Sequence, residues 1–98
     1  MEERKIITLD LTGCTSLGEL HQRIRKAFNF PEWYGENWDA FWDLINEPSP
    51  PTLVEIRGIN SLPDELKSSG AMILSLLQKN KEWQDEKWNR HFDYQIID

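Results

Sequence analysis

Five carboxylates stand at helical intervals in the middle of this chain: Glu32, Glu36, Asp39, Asp43 and Glu47, at steps of four, three, four and four. Residues three and four apart are neighbours on a helix surface, so this spacing stacks the acids on one face. Like charges so placed repel and weaken the helix that carries them. No Lys or Arg lies between Lys26 and Arg57, and a sixth acid, Glu55, falls in the same stretch. Trp33, Tyr34, Trp38, Phe41 and Trp42 are interleaved with the acids. A carboxylate accepts two parallel hydrogen bonds from a guanidinium, and an indole offers a flat apolar face to a cation. Clustered charge of one sign also speeds encounter with a partner of the other sign. The chemistry indicated is recognition of a positively charged protein surface.

At about 100° per residue, with Glu32 at zero, the five acids fall within a stripe of about 80°. Tyr34, Trp38, Phe41 and Ile45 fall on the opposite side, near 180–240°, and form the predicted core face. Trp42 lies between core and stripe, and Trp33 borders the other edge. The expected exposed surface is therefore a carboxylate row flanked by two indoles. A break at Gly35 would restrict these angles to Glu36 onward and leave Trp33 in a loop.

Other uses of these residues fit less well. Asp39 and Asp43 have a spacing that could serve glycoside hydrolysis, but such carboxylates come from different elements lining a cleft, and a convex helix face offers none. The acids lack the loop spacing of an EF-hand, and rigid helical neighbours do not encircle an ion, so no metal and no cofactor is expected. A net charge of −6 weighs against binding a phosphate backbone, which needs Lys and Arg, so nucleic acid is not an expected partner. His21, beside the apolar face of a predicted helix, reads as a packing or hydrogen-bonding histidine. His91 has no nearby partner in sequence. Cys14, the single cysteine, has no catalytic Cys/His signature around it and cannot form an internal disulfide.

The elements that must position the acidic face are legible from periodicity. Lys5 to Leu11 reads as a strand. Ser16 and Glu19 form a capping box that opens a helix over residues 17–28, which Asn29-Phe30-Pro31 ends. Residues 31–47 are predicted helical, and Pro48-Ser49-Pro50-Pro51 stops them. Residues 52–56 form a second strand whose apolar character predicts burial on both faces. Residues 60–69 form a loop with one helical turn begun at Pro63. A long helix starts at Gly70, and a strand over 92–97 closes the chain. Strands separated by helices need crossover connections, so a small parallel sheet is predicted in one α/β domain spanning residues 1–98. The N-terminal residues lack the apolar run of a signal peptide, and no stretch of 18 apolar residues occurs, so a cytoplasmic monomer away from the membrane is expected.

The string Leu20-His21-Gln22, followed by Pro31-Glu32-Trp33-Tyr34-Gly35-Glu36-Asn37-Trp38-Asp39-Ala40-Phe41-Trp42-Asp43, resembles the barstar family of small bacterial intracellular inhibitors of secreted guanyl-specific ribonucleases. The family motif reads P-E-aromatic-Y-G-E-N-x-D-A-x-W-D, and every fixed position is present. The resemblance implies a barstar-like α/β fold with a three-stranded parallel sheet and about four helices. It also implies that the second helix and the loop before it plug a ribonuclease active site, where acids stand in for RNA phosphates. By motif position, Asp43 resembles the central acid of that plug, Asp39 the second acid and Trp42 the aromatic beside them. Trp33 takes the place of the aromatic that covers a catalytic His, and Gly35 and Asn37 those of residues shaping the loop and its contacts. Trp33 replaces a more usual Tyr, which trades a hydroxyl for bulk. Counting from Gly70-Ala71, Asn80 falls where the family usually carries a further acid in the last helix. Trp38 and Asn80 complete the expected contact set. The resemblance thus implies a non-enzymatic inhibitor of a basic ribonuclease or ribonuclease-like toxin, with toxin immunity as its setting. The alternative is an acidic module of the same fold for a different basic protein.

Overall fold

Ile7 and Leu9 are buried in the first strand while Ile6 and Thr8 between and beside them are exposed, and this alternation fixes which face of the sheet carries the core. A computed structural model describes residues 5–47, 51–88 and 91–97. The element order is β1 (Lys5–Asp10), α1 (Leu17–Phe28), α2 (Trp38–Ile45), β2 (Thr52–Arg57), a 3-10 turn (Ile59–Ser61), α3 (Asp64–Trp88) and β3 (Phe92–Ile96). The expected helix stop at Pro48-Ser49-Pro50 lies outside the described residues, apart from Pro51.

The three strands form one parallel sheet in the order β1-β2-β3. Ile7 pairs with Val54, and Val54 with Tyr94, so these side chains share a face. Leu9 and Ile56 extend that face, and all but Tyr94 are buried. The sequence pattern predicts β2 buried on both sides, but only Thr52, Val54 and Ile56 are enclosed. Leu53 and Glu55 are half-buried on the second face, where Gln95 Nε2 donates to Glu55 Oε2 at 3.2 Å. The core combines the closed sheet face with Leu20, Ile24 and Phe28 of α1, Phe41 and Ile45 of α2, and Ile73 and Leu77 of α3.

Helix α1 starts where its capping box predicts. The Glu19 N–H donates to Ser16 Oγ at 3.1 Å, and the Glu19 carboxylate accepts from the Thr15 N–H at 2.9 Å, one residue before the cap. Asn29 ends the helix in the left-handed conformation, with φ 56°.

The C-terminal half differs from expectation. Among the described residues there are three α-helices and one 3-10 turn, against about four helices expected. The predicted turn at Pro63 and the predicted helix from Gly70 are one helix of 25 residues beginning at Asp64. Gly70 does not start it but lies inside it, buried. A Cβ at this position would come within 2.9 Å of Leu62 Cδ1 and 3.3 Å of Ile59 Cγ1. Glycine is used here for close approach of the helix to the turn before it, not as a breaker.

Candidate functional site

The acidic–aromatic segment is part loop and part helix. Asn37 is the N-cap of α2: its Oδ1 accepts from the Ala40 N–H at 2.8 Å, and its Nδ2 donates to Gly35 O at 3.2 Å. Glu36, one residue earlier, has φ 52°, a left-handed conformation unusual for a side chain of its size. The helix predicted over residues 31–47 therefore covers only Trp38–Ile45, and the break falls at Glu36-Asn37. Gly35 is needed for a different reason: a Cβ there would lie 2.8 Å from Asn37 Nδ2. Gly35 and Asn37 together shape the loop. Non-glycine residues held at positive φ concentrate at functional sites, and Glu36 is one of two such residues in the described chain.

The loop is fastened from α1. His21 is buried, and its Nδ1 lies 2.8 Å from the Tyr34 hydroxyl. Its ring packs on Trp38, with centroids 4.7 Å apart. Phe30 packs on Tyr34 at 5.2 Å and on Phe41 at 6.2 Å. One histidine thus ties the end of the loop and the start of α2 to α1, as a packing and hydrogen-bonding residue. Burial pushes the Tyr34 phenol up, so it stays protonated and shares this hydrogen bond with a neutral imidazole. Burial also holds His21 below its ordinary pKa, with the Glu36 carboxylate opposing. A group whose folded pKa is depressed in this way favours the fold in its neutral form. As pH falls through about 6.5, the unfolded chain takes up the proton first, so stability declines from there and levels off below the folded pKa. The urea midpoint should fall between pH 7.5 and 5, and His21→Asn should remove that part of the fall. An equal fall in the variant would contradict the assignment.

This scaffold leaves the acids free. Asp39 and Asp43 are exposed one turn apart on α2. Among the described residues, no hydrogen bond or ion pair engages either carboxylate; the ion pairs are Arg23–Glu19, Lys67–Asp64 and Lys81–Asp93. Asp39, in the first turn, complements the helix dipole, whereas the last turn carries no cation and Asp43 lies close to it. The segment thus accepts unfavourable electrostatics at its C-terminal end. Trp33 stands in the loop before α2, 74% exposed, an uncommon position for so large an apolar side chain. Trp42 is half-buried against the core.

Two of the expected contact residues lie against the core. Trp38 is partly buried, with its ring engaged by His21 and, edge-on at 5.9 Å, by Phe41, so it serves packing first. Asn80 is completely buried, and its Nδ2 donates to Ile45 O at 2.9 Å, so it presents nothing to a partner. Ile73, Leu77, Asn80 and Gln84 follow at steps of four, three and four, which places both amides on the core stripe of α3. That periodicity was available in the sequence. Glu32, Glu36 and Glu47, placed on the helical stripe by spacing alone, lie outside the helix, the first two in the loop before it and Glu47 beyond its C-cap Asn46.

A loop shaped by Gly35 and Asn37, an α/β frame with three parallel strands and an unpaired acid row now stand together. The family model for barstar, the barnase inhibitor, matches residues 4–95. The chain belongs to the barstar family. The match covers nearly the whole chain, including α3 and β3, well beyond the motif. Barstars are protein-binding inhibitors of ribonucleases and not enzymes. Among the described residues, no group of three or more His, Cys, Asp or Glu is placed to hold a metal, and no helix is long and apolar enough to cross a membrane.

Proposed function

We propose that this protein binds a basic ribonuclease of the guanyl-specific type, or a ribonuclease-like toxin domain, and blocks its active site with the loop over residues 31–37 and the exposed face of α2. The observation that carries this reading is the pair Asp39 and Asp43, exposed one turn apart and matched by no cation among the described residues. A site that cleaves RNA must present cationic donors to a phosphate, and carboxylates accept hydrogen bonds from the same donors. Asp43 takes the central phosphate position, Asp39 reaches a second cation, and Trp33 and Trp42 exclude water around them. The charge of −6 steers a basic partner toward this face. Inhibition is by occlusion, with no chemical step, and a monomer in the cytoplasm would protect the cell that makes the enzyme.

This reading requires competition with RNA. RNA present when the two proteins are mixed should slow the onset of inhibition in proportion to its occupancy of the enzyme. An onset rate that RNA does not change would place the contact away from the active site and contradict the proposal.

A further inference from the structure

Helix α2 has only eight residues, fewer than an isolated helix needs to persist in water, and its last carbonyls have no partners within the helix. The donors come from α3. Asn80 Nδ2 donates to Ile45 O at 2.9 Å. Gln84 Nε2 donates to the same oxygen at 3.4 Å and to Glu47 O at 3.1 Å. Both side chains are completely buried. Their carbonyl oxygens, with Asn46 Oδ1, are enclosed without a hydrogen-bond partner among the described residues. Leaving a buried acceptor unmatched is unfavourable, so these amides are held in place by what their N–H groups do. An ionised carboxylate has no N–H to give and would turn lone pairs toward the carbonyls of Ile45 and Glu47.

We propose that Asn80 and Gln84 form a neutral clamp that fixes the C-terminal end of α2, and with it the angle at which Asp39 and Asp43 are presented. They are positioning residues for the acidic face and touch no partner. The effect on binding rests on the ribonuclease-inhibitor reading, whereas the clamp itself is tested on the free protein.

Gln84→Met keeps the volume and removes the donors. Amide exchange at Phe41–Asn46 should accelerate about 10-fold, while the amides at the centre of α1 change little. Dissociation from an inhibited ribonuclease should accelerate by a similar factor, with association within about twofold, because the surface charge is untouched. Gln84→Glu adds a readout that loose packing alone would not move. A protonated carboxyl can donate to Ile45 O and a carboxylate cannot, so the deficit in melting temperature against wild type should shrink from pH 8 to pH 5. The charged groups flanking it, Glu47 beyond α2, Lys81, Asp85 and Lys87 on α3 and His91 before β3, are present in both proteins, and their coupling to the new carboxyl sets the pH at which the deficit shrinks. If Gln84→Met does not fold, Gln84→Glu carries the exchange measurement, its excess over wild type at Phe41–Asn46 growing from pH 5 to pH 8. Exchange rising equally in α1 and α2, or a deficit independent of pH, would overturn the clamp. If wild type inhibits no ribonuclease, the functional reading fails while exchange and pH still decide the clamp.

Discussion

Asp43→Ala is expected to weaken a ribonuclease complex by about 2 kcal/mol or more, roughly 30-fold in Kd, the loss typical of a central, desolvated interface residue. Glu47→Ala, at the rim, should cost less than about 1 kcal/mol. The difference lies in what each carboxylate meets. At the centre, truncation leaves the partner's cation buried and unpaired, whereas at the rim water replaces the contact. The free protein should respond in the opposite direction. Asp43 sits near the negative end of α2, one turn from Asp39, with no cation in the last turn. Removing it relieves repulsion, so Asp43→Ala should leave the urea midpoint unchanged or raise stability by about 0.3–0.5 kcal/mol. Binding lost while stability is kept marks a residue retained for its partner. Equal losses of binding at Asp43 and Glu47 would mean that the face acts as a diffuse field.

Phe41→Ala should have the largest effect on the fold, a loss of about 3–5 kcal/mol. Phe41 is completely enclosed, and its ring meets Phe28 at 5.8 Å, Trp38 at 5.9 Å and Phe30 at 6.2 Å. It is the point where α1, the loop and α2 converge on the core. Small domains have about 5–15 kcal/mol in total, so this truncation should remove a large part of the stability and lower the urea midpoint accordingly. A loss under about 1 kcal/mol would show that α2 is not anchored through this ring.

The sequence and the structure agree where local chemistry and burial act together. Ser16, Glu19 and the apolar positions of α1 specify that helix to the residue. Alternation in β1 likewise separates Ile7 and Leu9 from Ile6 and Thr8. Disagreement arises where one residue type serves two physical ends. Gly70 reads as a helix start because glycine favours breaks, yet it is buried inside α3 where Ile59 and Leu62 leave no room for a Cβ. Glu32 and Glu36 continue the helical spacing of Asp39, Asp43 and Glu47, but the side chain of Asn37 caps the helix after them, and charge spacing does not register a cap. The strand Thr52–Arg57 is apolar without being enclosed on both faces, because the core residues of α1, α2 and α3 cluster with Val54 and Ile56 on one of them. The exposed row of Asp39 and Asp43 and the core side of Tyr34, Phe41 and Ile45 follow the helical wheel. The inward turn of Asn80 depends on the unmet carbonyls of a distant helix end, a tertiary requirement that counting from Gly70 does not show.

The most direct measurement is the cleavage of RNA by guanyl-specific ribonucleases titrated with this protein. The expected result is a linear loss of activity that ends at one inhibitor per enzyme for at least one of them, with the end point abolished when Asp39 and Asp43 are both replaced by alanine. Unchanged cleavage across several such enzymes at a stoichiometric ratio, or the same titration from the double variant, would contradict the account.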